Sequence, residues 1–131
     1  MRRTIPEVEQ KRRQFWFDTA VRGLASQGFE RSLSKAGDGV TERCAYRGSE
    51  GRKCAVGWLM NDEEAILADR RLLSGFSLLL LNGQNLSIED RFFLSDLQDA
   101  HDGARAEGDL MQKRLVDFAT WYGLSNPEEL K

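Results

Sequence analysis

The stretch from Thr4 to Gly28 constrains the fold more than any other part of this chain. Thr4 is suited to a helix N-cap, Pro6 fits the first turn, and Glu7 completes a capping box. Val8, Phe15, Trp16, Ala20, Val21 and Leu24 then recur at helical spacing, and Gly28 is placed as a C-cap. Phe17 falls partly off that stripe and is expected against a second neighbour. A long amphipathic helix of this kind needs other elements to cover its apolar face.

Three further stretches supply them. "NDEEAILADRRLL" reads as a helix capped by Asn61, with acids in its first turn where the helix dipole favours them; Ala65, Ile66, Leu72 and Leu73 are its buried candidates. After the turn signal "NGQN", Ser87 and Asp90 cap a third helix with Phe93, Leu94, Leu97, Ala100, His101 and Ala104 on one side. A fourth, "DLMQKRLVDFATWYG", presents Met111, Leu115, Phe118, Ala119 and Tyr122, and Gly123 ends it. The run "SLLLL" reads as a buried element with part of it available as an oligomer surface.

With 131 residues and 40% apolar content, the chain is expected to form one domain spanning 1–131, mostly helical α+β: about four helices with one small β-hairpin. The formal charge of -2 gives no overall attraction to nucleic acid or to an anionic membrane surface. The basic N-terminal run lacks the apolar core of a signal peptide, and "LLSGFSLLLLNG" is too short and interrupted to span a bilayer. The expected location is the cytoplasm, where thiols stay reduced.

The hairpin is expected in "CAYRGSEGRKCAVG", which holds both cysteines. An even loop puts Cys44 and Cys54 on opposite faces. An odd loop sets Cys44 opposite Cys54 and sorts Cys44, Tyr46, Cys54 and Val56 from Arg43, Arg47 and Lys53, which favours the odd register. Alternatively "CAVGWLM" opens a helix, placing Cys54 at a helix N-terminus where the dipole lowers a thiol pKa.

Four chemistries compete for this stretch. Paired cysteines serve as small buried hydrophobes. Cys44, Cys54 and His101 are candidate metal ligands, although their spacing is unlike that of zinc knuckles and His101 lies on an apolar helix side. Cys54 with His101, oriented by Asp102 or Asp99, is a candidate nucleophile and base. Tyr46, Arg47, Arg52, Lys53 and Trp58 are candidate binding residues, suited to a protein surface or to a small anionic, nucleotide-like ligand. Arg43 adds to the basic patch. No cofactor-binding pattern is present in the sequence.

Cys44, Tyr46, Arg47 and Gly48 form a Cys-x-Tyr-Arg-Gly element, and Gly51, Lys53, Cys54, Ala55, Gly57 and Leu59 form a Gly-x-Lys-Cys-Ala-x-Gly-x-Leu element. Asp62 and Glu63 follow, and Leu97, Gln98, His101 and Asp102 make a Leu-Gln-x-x-His-Asp element. This combination resembles a group of small phage- and prophage-encoded proteins, with a departure after Asp62. The resemblance implies an accessory gene product of a class rich in host-directed inhibitors and counter-defence proteins, with a host protein as partner. It also joins His101 and Asp102 to the cysteine motif set and implies that the hairpin packs on the third helix.

Overall fold

The structure is a computed structural model that describes residues 7–30, 32–35, 42–71, 73–102 and 108–131. Four α-helices dominate the described residues: α1 (Glu7–Ser26), α2 (Asp62–Arg70), α3 (Ile88–Asp102) and α4 (Gly108–Tyr122). Four short strands pair as two antiparallel ladders, β1 (Leu33–Lys35) with β2 (Glu42–Cys44) and β3 (Leu80–Leu81) with β4 (Gln84–Asn85). The mostly helical α+β class expected from the sequence is therefore the one observed. No helix is long and apolar enough to cross a membrane among the described residues.

Three of the helix boundaries have a clear local cause. Helix α1 ends in a Schellman arrangement: Gly28 N donates to Ala25 O (3.0 Å) and Phe29 N to Leu24 O (2.8 Å), with Gly28 at φ 69°. Asn61 and Glu64 form a reciprocal capping box at the start of α2. Ser87 and Asp90 do the same for α3: Asp90 N donates to Ser87 Oγ and Ser87 N to Asp90 Oδ2, both at 3.1 Å. Thr4 and Pro6 lie outside the described residues. The dipeptide Asn82–Gly83 turns β3 into β4 with φ of 48° and 79°, the two positive values a type I′ hairpin turn requires.

The core is one apolar cluster running from Trp16 to Leu124. At its centre the rings of Phe93, Phe118 and Tyr122 lie 4.8–5.2 Å apart, with Phe17 on Phe118 (5.6 Å) and Trp16 on Phe93 (6.1 Å). Phe17 is fully buried. Val8 and Phe15, both expected on the buried stripe, instead stand 81% and 67% exposed. The reason is rotational. Gln10 Nε2 donates to the carbonyls of Tyr122 and Gly123, and Gln14 bonds Ser125 through both its amide atoms. Those contacts aim the Trp16, Phe17, Ala20, Val21, Leu24 face inward and turn Val8 and Phe15 away.

Helix α2 follows the same logic: Ala65 is buried and Ile66, expected inside, is 54% exposed. Of the leucine run, Leu78 and Leu81 are buried whereas Leu79 and Leu80 are exposed. Leu72 and Ala104 lie outside the described residues.

The hairpin expected across the cysteines is reduced to a single antiparallel bridge, Arg47 with Lys53. Cys44 pairs instead with Leu33, in a ladder that also sets Ser34 opposite Arg43 and Lys35 opposite Glu42. The expected Cys44–Cys54 register is thus displaced: the count between bridge partners is odd, as anticipated, but Arg47 faces Lys53 where that register would set it opposite Gly51, and β2 takes its partner from the preceding strand.

Candidate functional site

From Tyr46 to Met60 the backbone is irregular, so its polar groups depend on side chains from elsewhere. Tyr46 N and Arg47 N both donate to the carboxylate of Asp69 on α2, at 2.8 and 3.0 Å. Tyr46 Oη donates to Leu73 O at 2.7 Å, which fixes its ring beneath the chain that leaves α2. Beyond the bridge, Gln27 grips Lys53 twice, accepting from its N–H (2.9 Å) and donating to its carbonyl (2.7 Å).

The loop Gly48–Arg52 turns through Glu50 and Gly51, at φ 60° and 74°. Arg52 at its end pairs with Glu30 and with Glu50 (3.1 Å). Arg47 points the other way. Its Nη1 donates to Gly57 O (2.6 Å) and Tyr46 O (3.3 Å), its Nη2 to Met60 O (3.2 Å), and its Nε and Nη2 to Asp62 Oδ1 (3.1 and 2.9 Å). Every nitrogen of the fork has a partner within the fold. It closes the C-terminal end of the turn that follows Cys54 and ties it to the first residue of α2.

That turn is a 3₁₀ helix, Val56–Leu59, so the helical alternative for "CAVGWLM" is the one the chain adopts after Cys54. Gln98 Oε1 from α3 accepts from Val56 N (3.1 Å), and Cys54 Sγ accepts from Gly57 N (3.3 Å). The cysteine segment therefore does pack on the third helix. A Cβ on Gly57 would lie 2.4 Å from Tyr46 O, so only glycine allows the turn to sit this close. Cys54 is fully buried, as are Ala55 and Val56, and Tyr46 is 5% exposed. A thiol without accessible surface offers an incoming substrate nothing to meet.

Trp58 anchors the turn to α1. A Cβ on Gly23 would lie 2.2 Å from Trp58 Cδ2, which shows how closely the ring lies on the helix backbone. Lys53 Nζ sits 4.6 Å above the same ring. Trp58 Nε1 is buried with no hydrogen-bond partner among the described residues.

The structure thus brings Tyr46, Arg47, Lys53, Cys54 and Trp58 into one segment, with Arg52 on its loop, and joins it to Gln98. His101 and Asp102 occupy the last turn of α3, and Cys44 ends β2, but the side chains of these three and of Arg43 lie outside the described residues. Among the described residues there is no group of three or more His, Cys, Asp or Glu side chains placed to hold a metal ion.

Next to the segment lies a cleft of about 160 Å³, lined among others by Tyr46, Leu73, Ser74, Ser95, Gln98 and Asp99. The sequence carried only a partial signal for it, in Tyr46 and Gln98. The serines belong to no pattern and Leu73 only to the apolar positions expected of the second helix; they meet there because Gly75 lies flat on α3, where a Cβ would come 2.9 Å from Ser95 Cα. On the far side of that contact stands an apolar ledge. Phe76 and Phe92 are in ring contact at 4.8 Å, and Arg91 holds Phe76 from above (4.5 Å) while donating to its carbonyl (2.6 Å). Ile88, one helical turn before Phe92, extends the ledge along α3.

Comparison with protein-family models, with curated proteins and with solved structures finds no match.

Proposed function

We propose that the protein is a small cytoplasmic binding module of phage or prophage type, which acts by occupying a host protein as an inhibitor or counter-defence factor. One observation supports this above the others: Phe92 and Ile88, one helical turn apart on α3, are 52% and 53% exposed, and the Phe92 ring contacts that of Phe76. Clustered apolar side chains on a polar rim are the signature of a protein contact surface. The ledge is also held in place before any partner arrives, because Arg91 fixes Phe76 against it. The resemblance of the cysteine and Leu-Gln-x-x-His-Asp elements to phage-encoded proteins supports the class.

The basic loop contributes less to this reading than its sequence suggests. Arg47 is spent on the 3₁₀ turn and Asp62, Arg52 is ion-paired, and Lys53 and Trp58 cover one another. These residues shape the scaffold that carries the ledge. For the same reason a small anionic ligand has less support than a protein partner.

The test places a photo-crosslinking amino acid at Phe92 in protein produced inside a bacterial host. The expected result is one discrete covalent adduct, identified by mass, that disappears when Ile88→Asp is added. Absence of any adduct from folded protein, or a smear over abundant proteins that Ile88→Asp leaves unchanged, refutes the proposal.

A further inference from the structure

Helix α3 carries Ile88, Phe92, Ser95 and Asp99 at alternating spacings of four, three and four residues, which puts all four on one face. The face changes character along its length. Its first half is the apolar ledge, and its second half is a wall of the cleft. The two halves meet where Gly75 touches Ser95. A partner lying along this face therefore meets apolar surface first and then a polar recess.

Resting on the protein-binding reading above, we infer that the recess is a subsite for an arginine side chain of the partner. Size sets the first constraint. The cleft of about 160 Å³ matches cavities that admit a guest of about six heavy atoms, the size of a guanidinium with the end of its stem. Charge sets the second: among the described residues the lining includes Asp99 and no Lys, Arg or His, which opposes phosphate and favours a cation. Shape sets the third. A planar fork is matched by a carboxylate, an amide oxygen and hydroxyls placed around it, here Asp99, Gln98, Ser74 and Ser95, and Tyr46 provides an aromatic wall. Gln98 and Asp99 already make contacts within the fold, so the guest joins an existing network.

An arginine beside an apolar anchor is also the pairing that concentrates binding energy at protein interfaces. The occupant is thus a basic-plus-apolar segment of a protein.

The decisive experiment titrates the full chain with acetyl-Phe-Arg-amide and, separately, with its uncharged citrulline isostere, following backbone amides by NMR. The arginine peptide is expected to shift amides of 73–75 and 95–99. The citrulline peptide is expected to bind at least about tenfold more weakly. Asp99→Asn should remove that difference and Asp99→Glu restore part of it, with the spectrum reporting that each variant is folded. Equal shifts from the two peptides, shifts confined to the ledge, or tighter binding of a nucleotide at the cleft would overturn the inference. Should that happen while the adduct at Phe92 still forms, the subsite is wrong and the protein-binding reading stands. Loss of the adduct removes both.

Discussion

The aromatic centre and the part of the cysteine segment around Cys54 are both buried, yet they are held by opposite means. Around Phe93, four rings share contacts and no single pair decides the geometry. The helices that carry these rings satisfy their own backbones, so their side chains are left to pack. The segment from Tyr46 to Met60 has one bridge and two short 3₁₀ turns in place of a ladder. Its backbone groups are met one by one: Asp69 on Tyr46 and Arg47, Gln27 on Lys53, Gln98 on Val56, Arg47 on Gly57 and Met60. Packing distributes a loss over many neighbours. A clamp concentrates it on one orphaned group.

The largest expected effect comes from the distributed side. Phe93→Ala removes a fully buried ring that touches Trp16, Phe118 and Tyr122. It should cost about 3–5 kcal/mol, read as a fall in the urea midpoint with an unchanged slope. Probes in every helix should move together. A loss below about 1 kcal/mol would mean that the rings repack freely and that the centre is not an interlocked unit.

Arg47→Ala tests the clamped side. The carbonyls of Gly57 and Met60 would lose their charged donor, and the expected cost is about 2 kcal/mol. The distribution matters more than the total. Hydrogen exchange should speed up at amides of 54–60 while those of α3 change only by the global amount. Arg47→Lys should recover little, because an ammonium cannot reach two carbonyls and Asp62 with the geometry of a fork. Full stability in Arg47→Ala would return the residue to the surface and revive it as a binding group.

That contrast also explains what the sequence made legible. Caps, turn residues and helical spacing are local, and they located α2, α3, α4, the Asn82–Gly83 turn and the end of α1. Rotation about a helix axis is not local. Val8 and Phe15 fit a stripe by spacing, but Gln10 and Gln14 bind the end of α4 and decide which face turns inward. The cysteine register failed for a related reason. Strand pairing depends on the strands on offer, and β1, which carries no strand signal in its sequence, claimed Cys44. Of the site, the segment itself stood out through its cysteines and glycines. The cleft and the ledge did not, because they are made where Gly75 meets Ser95, and no spacing along the chain encodes that meeting.

The smallest effect lies where the two modes touch. Tyr122 packs edge-on and tilted within the aromatic centre and also donates its hydroxyl to the carboxylate of Asp96. An ordinary phenol ionises near pH 10. Burial, and then the bond to Asp96, push the Tyr122 pKa well above that. The folded chain thus keeps a proton that the unfolded chain gives up. The stabilisation is complete below about pH 10 and is lost as pH climbs from there toward the raised folded value. Tyr122→Phe should cost less than about 1 kcal/mol at neutral pH, since Asp96 is exposed and the bond is screened. Its signature is the pH profile: between pH 10 and 11, wild-type stability should fall more steeply than that of Tyr122→Phe. Parallel profiles would show that the hydroxyl contributes no proton-linked stability, leaving Tyr122 on the packing side of the contrast alone.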